Sequence, residues 1–101
     1  MEGGKVMGFM DSSDVQRQII FRQIGAKIAY YRALRQMSQD ELAKKIHISK
    51  SVLSRIERGS YHNNISVATL MAIADGLQIE PALLITFSDL EKNLWWEPNH
   101  N

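Results

Sequence analysis

Apolar and polar positions recur along most of the chain with a helical period, and no stretch carries the two-residue alternation of a half-buried strand. Residues 39–58, QDELAKKIHISKSVLSRIER, show this best and read as two short helices joined by a tight turn. Stepping about 100° per residue from Lys50 gathers Leu53, Ile56 and Glu57 on one arc, with Val52 at its margin. Lys50, Ser51, Ser54, Arg55 and Arg58 share the other arc. Upstream, Val15, Ile19, Phe21, Ile24, Ile28 and Tyr31 approximate one face of a long helix, or of a short helix running into a longer one, that reaches about Gln36. Downstream, Val67, Leu70, Ile73 and Ala74 form the inward face of a fourth helix. A fifth short helix is expected from residue 81 to about residue 86, with Leu84 plugging the core, and a last one over residues 89–96.

Capping residues sharpen these boundaries. Ser38, with Glu41 three residues on, makes a capping box that opens the second helix, which runs to about Ile46 with Leu42, Ala43 and Ile46 inward. Ala43 is small enough to let that helix approach its successor closely. His47 and Ile48 form the turn, Ser49 caps the third helix, and Gly59 supplies a residue tolerant of left-handed backbone just past its end. Residues 60–65 read as a polar loop, Ser66 caps the fourth helix, and Gly76 to Gln78 mark its end. Pro81 suits a first helical position, Ser88 with Glu91 makes a second capping box, and Pro98 stops the last helix.

Composition adds limits. The chain of 101 residues accommodates one domain with a single modest core, and 45% hydrophobic with 23% charged residues is ordinary for a globular fold. Without cysteine there are no disulfides or cysteine-rich zinc modules. No apolar run approaches the length of a membrane span and no signal peptide is apparent, so a cytoplasmic protein without membrane contact is expected. The net charge of +1 hides a polarity: residues 1–62 hold eleven Lys or Arg against six acids, whereas 63–101 hold Lys92 against five acids. Such a domain turns one basic face toward a polyanion. The outward arc of the third helix, all hydroxyls and cations, is a donor set suited to phosphate oxygens and to the acceptor-rich edge of guanine.

The run Ile24-Gly25, Ile28, Arg32, Met37-Ser38-Gln39, Glu41-Leu42-Ala43, Ile46, Ile48-Ser49 and Leu53-Ser54-Arg55-Ile56-Glu57-Arg58-Gly59, continued by Thr69-Leu70, Ile73-Ala74, Leu77 and Leu84, resembles the helix-turn-helix domain of phage Cro and repressor proteins, the XRE family, with its spacing intact. The resemblance, which covers Ile24 to about Ile85, implies an all-α fold, a five-helix lambda-repressor-like domain expected over residues 12–86; the glycine-bearing, aperiodic start at 1–11 is expected to be a flexible leader. An extra short C-terminal helix and tail at 87–101 would be a dimerisation element. The one departure in the motif is His47, where the family has glycine; histidine tolerates positive φ, so the turn is expected to survive.

By position, the resemblance assigns DNA phosphate contacts to Gln39, Ser49, Arg58, Tyr61 and Asn63. It assigns base reading to Lys50, Ser51, Ser54 and Arg55, with Arg55 placed for a bidentate contact to guanine and Val52 able to meet a thymine methyl. Arg32 and Glu57 match an ion pair that bridges the first and third helices of relatives, a structural role away from the bases. The apolar residues Leu83, Phe87, Leu90, Leu94, Trp95 and Trp96 exceed what so small a domain buries; they either fold back over it or form a dimer seam. A homodimer is expected because one reading helix makes too few base contacts, and relatives set two in successive major grooves about 34 Å apart.

The function implied is a sequence-specific transcription regulator, a homodimeric repressor on an inverted-repeat operator in double-stranded DNA. The alternative is an antitoxin-like subunit that holds a protein partner at its C-terminal end and represses its own operon. Ser54, His47 and Asp40 lack the oxyanion loop and glycine-flanked nucleophile of a hydrolase, so no enzyme and no cofactor is expected. Neither His47 nor His62 has a second ligand at helical or turn spacing, so no metal site is expected either.

Overall fold

The computed structural model describes residues 12–60 and 65–96. Among these described residues, five α-helices and one 3-10 turn follow in order: α1 (Ser12–Leu34), α2 (Gln39–Lys45), α3 (Lys50–Arg58), α4 (Val67–Leu77), the turn Pro81–Leu84, and α5 (Asp89–Trp96). There is no strand among the described residues. The fold is the all-α architecture expected, with α1 continuous rather than divided. The expectations for the leader, Tyr61, His62, Asn63 and the tail beyond Trp96 lie outside the described residues.

The caps act as the side chains dictate. Ser38 Oγ accepts from the Glu41 N–H at 3.0 Å while Glu41 Oε1 accepts from the Ser38 N–H at 2.7 Å. The same reciprocal pair opens α5, at 3.1 Å and 2.7 Å between Ser88 and Glu91. Ser49 and Ser66 each accept from the N–H three residues on, at 3.0 Å. Gly59 ends α3 in left-handed backbone, φ 71°.

Helices α1 to α4 each bury one stripe. Ile24 and Ile28 from α1, Leu42 and Ala43 from α2, Leu53 and Ile56 from α3, Ile73, Ala74 and Leu77 from α4, and Leu84 from the 3-10 turn close a single core. Truncating any one of its large aliphatic residues to alanine removes packing worth about 2–5 kcal/mol.

Several boundaries and faces differ from expectation. Helix α1 stops at Leu34, and Gln36 takes φ 55°, so the chain turns two residues before the periodicity gives out. Val67 is 72% exposed rather than inward. It is the first residue of α4, and the buried stripe begins a turn later and runs on to Leu77. Helix α4 does end within the expected Gly76–Gln78 stretch: Gly76 lies inside the helix, where a Cβ would sit 2.7 Å from Ile46 Cγ2 and 2.9 Å from Leu42 Cδ1, and Gln78 caps it at φ 58°. The fifth element is a single 3-10 turn ending at Leu84, closed by the Leu83 N–H on Glu80 O at 3.0 Å.

Helix α5 folds back along α1. Lys27 Nζ meets Glu91 Oε2 at 2.6 Å, Gln23 Nε2 donates to Glu91 O at 3.0 Å, and Trp95 Nε1 donates to Gln23 Oε1 at 2.8 Å. Phe87 packs edge-to-face on Trp95, ring centroids 5.3 Å apart, and under the Lys27 ammonium at 5.2 Å. This contact divides the C-terminal apolar residues: Phe87 and Trp95 turn toward α1, while Leu83, Leu90, Leu94 and Trp96 stay exposed.

Candidate nucleic-acid interface

Helices α2 and α3 are set by the four residues between them. After Ile46 the chain reverses through His47, whose φ of 61° is the left-handed conformation that glycine most readily supplies. The Ile48 N–H then closes on Ala43 O at 3.0 Å, and Ser49 starts α3. Leu53 and Ile56 of α3 are fully buried.

The outer side of α3 is the reverse of that buried one. Lys50, Ser51, Arg55 and Arg58 are exposed, and Val52 and Ser54 are half-buried along the edge. Arg58 Nη1 donates to Ser54 Oγ at 2.5 Å, one turn back along the helix, which leaves the Ser54 O–H proton directed elsewhere. No acidic side chain stands on this stripe. Basic residues fall in the last turn of α3, the end at which the helix dipole favours cations.

From behind, α3 is held by one carboxylate. Glu57 is only 6% exposed at its side chain, and its two oxygens accept from Arg32 Nε at 2.8 Å and Arg32 Nη2 at 2.9 Å. Arg32 Nη1 also donates to Met37 O at 2.9 Å, tying the start of α2 to the same guanidinium. The Glu57 hydrogen bond holds the Arg32 proton more firmly than an ordinary arginine's. Glu57 Oε1 takes a further bond, 2.9 Å, from Gln39 Nε2 at the first position of α2. One Gln39 amide proton is thereby used, and the other remains available at the mouth of the α2–α3 groove.

A closer contact fixes the α1–α3 distance. A Cβ on Gly25 would lie 2.4 Å from Glu57 O and 2.5 Å from Ile56 O, so the two helices touch backbone to backbone. The sequence carried a sign of this in a glycine interrupting an apolar helical stripe, where alanine would suit the helix better by about 1 kcal/mol. Gln39 as a partner of Glu57, and the Gln23–Trp95 bond, had no such signal. Of the residues assigned to bases and phosphates, Ser49, Lys50, Ser51, Arg55 and Arg58 are exposed, Gln39, Val52 and Ser54 are half-buried, and Tyr61 and Asn63 lie outside the described residues.

Residues 28–84 match the helix-turn-helix family. Over 54 residues, 54% of its length, the chain is 39% identical to an uncharacterized HTH-type transcriptional regulator of Methanocaldococcus jannaschii and covers 82% of that protein. It is 37% identical over 62 residues to the immunity repressor protein of Bacillus phage phi105, spanning 61% of this chain and 42% of the repressor. Among solved structures it resembles the restriction-modification controller protein C.AhdI from Aeromonas hydrophila. That likeness has a TM-score of 0.59 and 28% identity, and covers 63% of this chain and 94% of the other.

Proposed function

The chain belongs to the helix-turn-helix family of DNA-binding transcription regulators, and from that premise we propose that it is a homodimeric repressor reading an inverted-repeat operator through α3. What carries the reading is the acid-free stripe of exposed Lys50, Ser51, Arg55 and Arg58, edged by half-buried Ser54, on a helix oriented from behind by Glu57. Arg55 takes guanine in a bidentate contact, Lys50, Ser51 and Ser54 meet neighbouring base edges, and Val52 meets a thymine methyl. Gln39, Ser49 and Arg58 fix the register on phosphates. Repression follows from occupying a promoter.

The second copy docks through the exposed part of the C-terminal set, Leu83, Leu90, Leu94 and Trp96. The same exposed residues would serve a different protein in the antitoxin-like reading, in which the chain also represses its own operon and whose mark is a small toxin-like gene adjoining this one.

Selection from a random duplex pool tests the operator directly, through the symmetry of the sequences recovered. On the selected site, Arg55→Ala weakens binding by about 1–3 kcal/mol and relaxes preference at one base pair, whereas Gln39→Ala weakens cognate and random duplex alike. Equal losses on both duplexes for Arg55→Ala would remove its base-reading role.

A further inference from the structure

Four cations lie along α1 beyond its first turns or just past its end: Arg22, Lys27, Arg32 and Arg35. Three are consumed inside the domain. Lys27 pairs with Glu91, Arg32 with Glu57, and Arg35 donates to the carbonyls of Leu77 and Gln78, each at 2.8 Å. Arg22 is exposed and, among the described residues, has no hydrogen-bond or ion-pair partner. Its place is the C-terminal end of the reading helix. A Cβ on Gly59 would lie 2.6 Å from Arg22 Cα and 3.0 Å from its Cβ and Cγ, so the base of this side chain covers the residue that follows Arg58. Arg22 therefore sets one more exposed cation, supplied by another helix, beside the C-terminal end of α3. It stands upstream of the matched family region at 28–84, on the part of the 23-residue α1 that precedes it.

We infer that Arg22 is a further phosphate-contacting residue, which clamps the DNA backbone where it passes the C-terminal end of α3. The inference rests on the DNA-binding reading above. It makes α1 a direct part of the interface, and the contact is sequence-independent because only a phosphate presents an anion there.

The experiment measures binding of the full chain to its selected duplex and to a random duplex between 50 and 200 mM salt, for the parent, Arg22→Gln and Arg22→Lys. Losing one phosphate contact flattens the logarithmic salt slope by about 0.9, so the affinity ratio between those two salt concentrations shrinks by roughly 3.5-fold. Arg22→Gln is expected to show that change equally on both duplexes, and Arg22→Lys to keep the parent slope. If Arg22→Gln keeps the parent slope, or weakens the selected duplex alone, Arg22 acts on the position of α3 and the inference is overturned while the DNA-binding reading stands. A parent that binds neither duplex at 50 mM salt overturns both.

Discussion

Replacing Gly25 by alanine is the sharpest test of how α3 is held. In an unconstrained helix interior the substitution stabilises by about 0.5–1 kcal/mol, since alanine loses less backbone freedom on folding. Here the new methyl would lie 2.4 Å from Glu57 O and 2.5 Å from Ile56 O, against an ordinary contact of 3.4 Å or more, so the end of α3 must withdraw by about 1 Å. The obstructing atoms are backbone carbonyls, which cannot rotate aside as a side chain can. The cost is that of overpacking, about 1–3 kcal/mol, and it outweighs the helical gain. Urea denaturation of Gly25→Ala should therefore give a lower midpoint, with the slope unchanged. Gly76→Ala is the internal comparison, because its methyl meets only Ile46 Cγ2 and Leu42 Cδ1, the ends of side chains that can adjust. Gly25→Ala should lose more than Gly76→Ala. A Gly25→Ala protein as stable as the parent or more so would refute the backbone-to-backbone contact.

Three other outcomes follow from the same geometry. Arg32→Ala should cost about 3–5 kcal/mol in thermal or chemical unfolding, by leaving the nearly buried Glu57 with Gln39 alone, and Arg32→Ala/Glu57→Ala together should cost less than the two single changes summed. The Lys27 hydrogen bond, then the Ser88 cap, hold the Glu91 carboxyl below the usual glutamate value of 4.5. Its contribution is complete above that pH and is lost as the pH falls through the depressed value, so the stability difference between parent and Glu91→Gln should be constant at neutral pH and shrink in acid. A difference independent of pH would contradict the pairing. Leu90→Ser with Leu94→Ser should raise the dimer dissociation constant at least about tenfold in sedimentation, a buried leucine being worth about 1.5–3 kcal/mol; an unchanged sedimentation profile would take the seam away from α5.

Most of the fold was legible because its punctuation is local. A serine followed by glutamate at the third position, or a glycine past the last periodic residue, satisfies orphan backbone groups within one turn and needs no knowledge of distant residues. The outward side of α3 could be read for the same reason, from angle alone. Long-range choices were hidden. Nothing in the apolar spacing of the C-terminal residues distinguishes Phe87 and Trp95, which turn toward α1, from Leu90 and Leu94, which do not. That division depends on Gln23 and Lys27, sixty or more residues away, offering an acceptor and a cation. Val67 was misplaced because periodicity says which side of a helix is apolar but not how far the neighbouring layer extends.

Helix α3 owes its orientation to Gly25, Leu53, Ile56 and Glu57, none of which lies on its outer stripe. The residues that mount α3 are therefore distinct from those on the exposed side of this nine-residue helix. Under the proposed DNA-reading role of the outer stripe, exchanging the exposed Lys50 and Ser51 is expected to shift duplex preference while the contacts that hold α3 stay in place.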